Sequence, residues 1–259
     1  MCGRYASIKA PADLADEFRA VDATDGAAKA DYNIAPTKQI VTVVERHPRD
    51  RGGHTRPRPH RAHAAHGAVG SGAVVGEGPE GRRADDHARS ESAGEKPAFK
   101  RAMNARRCLI PADGWFEWQR GPEHKQPYYT HYADGSSLAM AGLWEYWKPK
   151  DDPAGEYPNG LVTATVLTTE AVGVLRQVHD RMPLVLPPSA WDAWLNPDVR
   201  ADDVADLLRP PADGLIAKLD LLPVSPLVNS VRNNGPDLLA PLPPEEVREP
   251  LQLDLLAGP

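Results

Sequence analysis

The residues best equipped for chemistry are the second one and two that stand far from it. Cys2 follows the initiator methionine directly. A small second residue permits removal of Met1, which leaves a thiol beside a free α-amino group. Reference pKa values are about 8 for such an amine and about 8.5 for a thiol, so both are partly deprotonated at neutral pH. A 1,2-aminothiol traps aldehydes: the amine adds to the carbonyl, and the thiol then closes a five-membered thiazolidine. By position alone the more ordinary role of Cys2 is that of a second strand residue. Glu117 stands between Phe116 and Trp118, with Trp115 beside them. Apolar neighbours disfavour the charged carboxylate and raise its pKa, which suits a general acid. A lone glutamate there equally fits the exposed face of an alternating strand. His179 precedes Asp180 and Arg181 just after a predicted helix. An imidazole there works as a proton shuttle or as a helix-end cap.

A second histidine group carries less. His54, His60, His63 and His66 fall close together among Pro, Arg, Gly and Ala. The spacing invites a metal reading. No carboxylate or cysteine joins them at ligand spacing, and nothing apolar would hold them in place. No metal and no cofactor is assigned.

The elements that must position these residues follow from periodicity. Pro11 and the acids of 10–18 open a short helix with Leu14 and Phe18 four apart on one face. Residues 31–37 read as a turn-rich segment and 39–45 as a strand. Residues 96–103 form a basic helix, 106–111 and 115–119 two strands around an Ala-Asp-Gly turn, and 128–132 and 138–147 further strands. A strand at 161–167 leads into Thr168-Thr169-Glu170, which suits a helix start, with the helix running to about Val178. A short strand at 184–186 and a helix from Pro187 follow, then polar loop at 223–226 and 229–234. Helices and strands mix without regular alternation, which indicates one α+β domain with a mainly antiparallel sheet and peripheral helices.

Composition bounds the partners. The chain has 259 residues, 41 % of them hydrophobic, with net charge −6. Polyanions are therefore not bound through global charge, and a nucleic-acid site must be a local basic surface. Two cysteines make no disulfide framework, so a reducing cytoplasm is expected. No apolar run reaches the length of a membrane span.

Six stretches together resemble one family. Met1-Cys2-Gly3-Arg4-Tyr5, Tyr32-Asn33-Ile34-Ala35-Pro36-Thr37, Ala88-Arg89-Ser90-Glu91-Ser92, the run from Arg107 to Trp118, His179-Asp180-Arg181-Met182-Pro183 and Val228-Asn229-Ser230 are similar, in that order, to the SRAP family. This is the SOS-response-associated peptidase domain that handles abasic sites. The resemblance implies a single SRAP-like domain over residues 1–240 with a barrel-like sheet, followed by a Pro- and acid-rich tail at 241–259. It implies a monomer that captures abasic sites in single-stranded DNA through a thiazolidine on Cys2. Glu117 then corresponds to the acid that opens the sugar ring, and His179 to the group that assists proton transfer and crosslink reversal. Arg4, Asn33 and Arg89 match DNA-binding positions, where Arg and Asn suit phosphate and base-edge contacts. The peptidase label points to autoprocessing between Met1 and Cys2, hence the hydrolase or lyase class.

One stretch departs from the family. From Val41 to Ala98 there is no Leu, Ile, Met, Phe, Tyr, Trp or Cys. The family's Trp-Gly-Leu-Val-Pro-type motif and a second Trp are missing. Asp85-Asp86-His87-Ala88-Arg89 stands where Met-Ile-Asn-Ala-Arg is expected, with His87 in place of the catalytic Asn. Read one base later, the codons available to residues 68–80 permit Arg-Trp-Gly-Leu-Val-Pro-Ser-Trp-Ala-Lys-Asp-Pro, and those of Asp85-Asp86-His87 permit Met-Ile. One lost base at His87 restores the frame and turns an Asn codon into His. Residues 48–87 are thus expected to be a frame-shifted or unstructured stretch. The chain as written would lack a core strand, DNA-stacking aromatics and the catalytic Asn. Two rivals stay open beside the crosslinking reading: an N-terminal-nucleophile peptidase, and a decayed relative that only binds DNA weakly.

Overall fold

A computed structural model describes residues 3–46, 88–121, 125–148 and 160–247, and the backbone of 67–75. Its strands are β1 (Arg4–Ser7), β2 (Ala20–Ala23), β3 (Asp31–Ile34), β4 (Gln39–Val44), β5 (Gly67–Val75), β6 (Ala88–Arg89), β7 (Arg107–Ala112), β8 (Gly114–Arg120), β9 (Lys125–Tyr132), β10 (Leu138–Trp147), β11 (Leu161–Glu170), β12 (Arg181–Pro183) and β13 (Leu219–Pro223). The helices are α1 (Pro11–Glu17), α2 (Ser90–Ala93), α3 (Pro97–Ala105), α4 (Pro188–Leu195) and α5 (Asp213–Ile216).

The strands form two sheets. One has five strands in the order β13-β9-β8-β1-β3, and the other runs β12-β11-β10-β7-β4-β5-β2 with β6 beside β11. Pairing is mostly antiparallel; the exceptions are the parallel contacts of β5 with β2 and β11 and of β6 with β11. Since β5 meets both β4 and β11, the larger sheet curls strongly. The α+β reading with a mainly antiparallel sheet is what the structure has.

Alternation along β7 accounts for the layering. Cys108 and Ile110 face the core shared by the two sheets, with Tyr5, Trp115 and Met140. Leu109 faces the opposite way, into a core roofed by Leu14 and Phe18 of α1 and its flank, Met103 of α3 and Trp194 of α4. A strand covered on both faces reads as a continuous apolar run, and all six residues of β7 are buried. A third, smaller core of Phe116, Tyr129, Val224, Val228 and Leu238 closes the outer face of the five-stranded sheet. Gly114 opens β8 because a Cβ there would overlap the Tyr129 ring and the Thr130 carbonyl.

Four local expectations need correction. Thr168-Thr169-Glu170 ends β11 instead of starting a helix. Thr168 and Thr169 are β-branched and buried, and they pair with β12. Gly173, at φ 55°, interrupts any long right-handed helix, so only a 3-10 turn forms over Gly173–Gln177. Part of the segment read as turn, Asp31–Ile34, is a strand. The short strand lies at Arg181–Pro183, and Leu184–Leu186 adds only a bridge from Val185 to Met140. Finally, the strand expected to be lost is present as backbone: Gly67–Val75 pairs with β4 along most of its length. Ladder bonds join main-chain groups, so β5 forms without the large apolar residues that usually announce a strand. The other residues of 48–87, the His cluster among them, lie outside the described residues.

Candidate active site

Period-two alternation sorts the β8 side chains onto two faces. Trp115 belongs to the core between the sheets and Phe116 to the outer core. Glu117 therefore follows Trp115 inward, and Trp118 follows Phe116 outward. Glu117 is only 6 % exposed, so the exposed strand position is not the one it occupies. It lines a small pocket with Trp115, Thr130, Leu175, His179 and Met182. The structure thus brings Glu117 and His179 together from strands and turns 62 positions apart in sequence (179 − 117).

His179 is set by the turn that carries it. Its backbone N–H donates to Leu175 at 3.1 Å. Two groups compete for its Nδ1: the Arg181 backbone N–H at 3.0 Å and the Asp180 carboxylate at 2.7 Å. A neutral Nδ1 cannot accept from the first and donate to the second. The Asp180 side chain is largely exposed, which screens its pull. We assign the amide contact to the neutral ring, which puts its proton on Nε2. A protonated ring would exchange the amide for Asp180. Gln119, two residues beyond Glu117 on the same face, donates from Nε2 to the Gln177 carbonyl at 2.8 Å. It ties β8 to the His179 turn.

Arg181 carries the next link. Its guanidinium makes two bonds to Glu91, Nη1 to Oε1 at 2.7 Å and Nη2 to Oε2 at 3.0 Å, and Nη2 also reaches the Thr168 carbonyl at 2.6 Å. This is the planar fork-to-fork geometry that favours arginine. Burial opposes ionisation of Glu91, but the hydrogen bonds and charge of Arg181 outweigh it and hold the carboxyl below its ordinary range. Arg89, two residues before Glu91, is exposed and pairs with Thr168 in β6. The His179 turn and the Arg89 strand are thereby fastened to each other.

On the outer face of β8 lie Arg4, Trp118 and Asn33. Arg4 begins β1 and pairs with Phe116, so the chain enters β1 from the Glu117 end of β8. The Arg4 guanidinium lies 5.8 Å from the centre of the Trp118 ring and donates from Nε to Asn33 Oδ1 at 3.0 Å. Asn33 itself has no exposed surface. Cys2 lies outside the described residues. The second thiol, Cys108, is fully buried in the core between the sheets, where burial pushes its pKa up; such a thiol is inert. Among the described residues no cluster of metal-ligating side chains occurs, and no helix is long and apolar enough to cross a membrane.

Glu91, Gln119 and Arg181 join the site as residues to which sequence reasoning gave no role of their own. Gln119 carries a usable signal, since it repeats the Glu117 face at two-residue spacing. The Glu91–Arg181 pair joins residues 90 apart, and no local pattern announces it.

Comparison with known proteins places the chain in a family. Residues 1–231 match the family described as SOS response associated peptidase (SRAP). The abasic site processing protein YoqW of Bacillus subtilis (strain 168) is 31 % identical over 242 residues, covering 92 % of this chain and 99 % of that protein. The abasic site processing protein HMCES of Xenopus tropicalis is 33 % identical over 178 residues, 60 % of this chain and 49 % of that protein. A crystal structure of a protein from Bacteroides thetaiotaomicron shares the fold, with a TM-score of 0.71 at 20 % identity, covering 93 % of this chain and 100 % of that one. With the match running through the Glu117 and His179 pocket and nearly the whole described fold, the chain belongs to the SOS response associated peptidase (SRAP) family.

Proposed function

We propose that this protein processes abasic sites in single-stranded DNA by forming a covalent crosslink through Cys2. The observation that carries the reading is the shared pocket of Glu117 and His179, beside the strand that Cys2 precedes by two residues, in a family whose relatives are named for abasic site processing. An abasic deoxyribose is mostly a closed hemiacetal. Glu117, almost fully buried beside Trp115 and His179, donates a proton to the ring oxygen as the anomeric hydroxyl gives up its own and the sugar opens to its aldehyde. The Cys2 amine adds to that aldehyde, and loss of one water gives an iminium. The Cys2 thiolate then adds to the iminium carbon and closes the thiazolidine, so that one water leaves for each crosslink. His179 relays protons to and from the carbinolamine, and by the reverse path assists release. Arg4 and Arg89 supply the local positive surface that the overall charge of the chain does not.

The frame-shifted stretch favours a second reading of the chain as written. The missing Trp motif and the His87 that replaces Asn leave a family member that binds DNA weakly and forms little adduct. Incubation of Met-trimmed protein with a single-stranded oligonucleotide bearing one abasic site decides between them. A heat-resistant covalent band from a chain restored to the shifted frame, lost in Cys2→Ala, is the expected result. No band from the restored chain would sink the crosslinking reading. A band from the restored chain alone assigns weak binding to the chain as written. Release of a peptide fragment without any DNA adduct would favour an N-terminal-nucleophile peptidase.

A further inference from the structure

Asn33 has no exposed surface, yet its side chain makes four polar contacts. Oδ1 accepts from Arg4 Nε at 3.0 Å, and Nδ2 donates toward the backbone carbonyls of Ser230 (3.0 Å), Asn233 (3.0 Å) and Val228 (3.3 Å). The partners fix which way the amide points, because a guanidinium only donates and carbonyls only accept. Two Nδ2 hydrogens serve three carbonyls, so one is shared. The Val228 carbonyl also accepts from Arg4 Nη2, which closes a ring of bonds between β1, β3 and the loop after β13.

That loop carries Asn229, whose side chain is exposed except for one bond: its Oδ1 accepts the Trp118 indole N–H at 2.7 Å. Arg4 lies over the same indole. One buried amide therefore holds both groups that hold Trp118. Tyr32 N–H adds a second tie to the loop through Asn234 Oδ1 at 2.8 Å. Leu227 and Val231 stand more than half exposed, or half exposed, in this same loop, at 56 % and 50 %, so its outer side is open to a partner. An indole held edge-on by a hydrogen bond keeps one ring orientation, and stacking on a nucleobase depends on that orientation.

We propose that Asn33 is a positioning residue, which orients Trp118 toward single-stranded DNA through Asn229 and Arg4 without touching the DNA. The proposal rests on the DNA reading above, and its test separates the two. Spectra of the full ¹⁵N-labelled chain identify the Trp118 indole N–H by its loss in Trp118→Phe. In Asn33→Ala that signal moves upfield and its hydrogen exchanges about fivefold faster, as for loss of one ordinary hydrogen bond. Asn33→Asp keeps an acceptor for Arg4 but sets a carboxylate against three carbonyls, and gives the same shift. Asn229→Ala changes an exposed position, so it reports on the indole even where an Asn33 variant fails to fold. Affinity for a single-stranded oligonucleotide, read by fluorescence anisotropy, falls about tenfold in Asn33→Ala, and the double variant Asn33→Ala/Asn229→Ala is no weaker, since residues acting in one chain of contacts are not additive. A purely structural asparagine would lower the melting temperature without that non-additivity. An indole signal unmoved in Asn33→Ala, or losses that multiply in the double variant, overturns the proposal. The affinity arm uses the frame-restored chain as parent; a restored parent that does not bind the oligonucleotide overturns the DNA reading instead, and the indole shift tells the two failures apart.

Discussion

Glu117 and Cys108 illustrate how burial assigns opposite fates to reactive groups. Both are enclosed. Glu117 shares its pocket with an imidazole, whereas Cys108 sits among Ile110, Met140 and Val166 with no base in its cluster. A reactive thiol needs its thiolate stabilised, and burial of Cys108 disfavours the thiolate. Cys108→Ala is therefore expected to leave abasic-site crosslinking by the frame-restored chain unchanged, which gel assays beside Cys2→Ala would check. Glu117→Gln keeps the shape of the side chain but removes the transferable proton. Its single-turnover crosslinking should slow by about 10²-fold or more. A rate within twofold of the parent would exclude Glu117 as the acid.

Elements here are held by arginines as much as by apolar contact. Arg107 opens β7 and is 4 % exposed, and its guanidinium is spent on backbone carbonyls. Its guanidinium donates to the carbonyls of Trp194 and Asn196 at the end of α4, of Met103 near the end of α3, each at 2.6 Å, and of Val199 at 2.9 Å. Helix C-termini carry orphan carbonyls and partial negative charge, and one buried cation satisfies two of them. Burial lowers the Arg107 pKa, yet an arginine stays charged at any physiological pH. Arg107→Met would leave those carbonyls without a donor. We expect a loss of about 3 kcal/mol in urea unfolding, since each buried acceptor left without its donor costs about 1–3 kcal/mol. The Glu91–Arg181 pair gives a pH-dependent counterpart. The folded state holds the Glu91 carboxyl below its ordinary value, so at mildly acid pH the unfolded chain binds more protons there. The pair's stabilisation is complete above the ordinary carboxylate range and is lost as pH falls through the lowered value. Glu91→Gln should flatten that part of the stability–pH curve while leaving the neutral region sloped as before. An unchanged acid limb would mean that the half-exposed pair contributes nothing there.

For the whole molecule the frame of residues 48–87 matters most. The strand β5, Gly67–Val75, coincides with the codons that read Arg-Trp-Gly-Leu-Val-Pro-Ser-Trp one base later. We infer that the family's strand lies here and that its side chains have been exchanged for Gly, Ala, Ser and Val. Resequencing the gene separates a reading error from two true frameshifts. A chain carrying the shifted-frame residues is expected to melt several degrees higher, because large apolar side chains bury more area than Gly and Ala. It should also bind single-stranded DNA more tightly, by roughly 1–3 kcal/mol for each indole that stacks on a base. Equal melting temperatures and equal affinities for the two chains would exclude the frame reading.

Much of the architecture was legible because its signals are local. Leu14 and Phe18 four apart, the Pro-opened α3 and α4, and the apolar runs of β4, β7 and β10 follow from spacing and backbone propensity. The chemistry expected of Cys2 rests on an aminothiol, a property of one residue and its position, and Cys2 itself lies outside the described residues. Thr168-Thr169-Glu170 was misread because short polar segments accept either a helix start or a strand, and pairing with β12 and β6 made the choice. Tertiary structure alone decided that Glu117 faces inward and meets His179. Alternation fixes which β8 residues share a face, but only the packing of two sheets says which face is dry. It alone also decided that Asn33, polar and beside a candidate DNA contact in Arg4, is enclosed, because three of its hydrogen-bond acceptors come from a loop nearly 200 residues further along the chain.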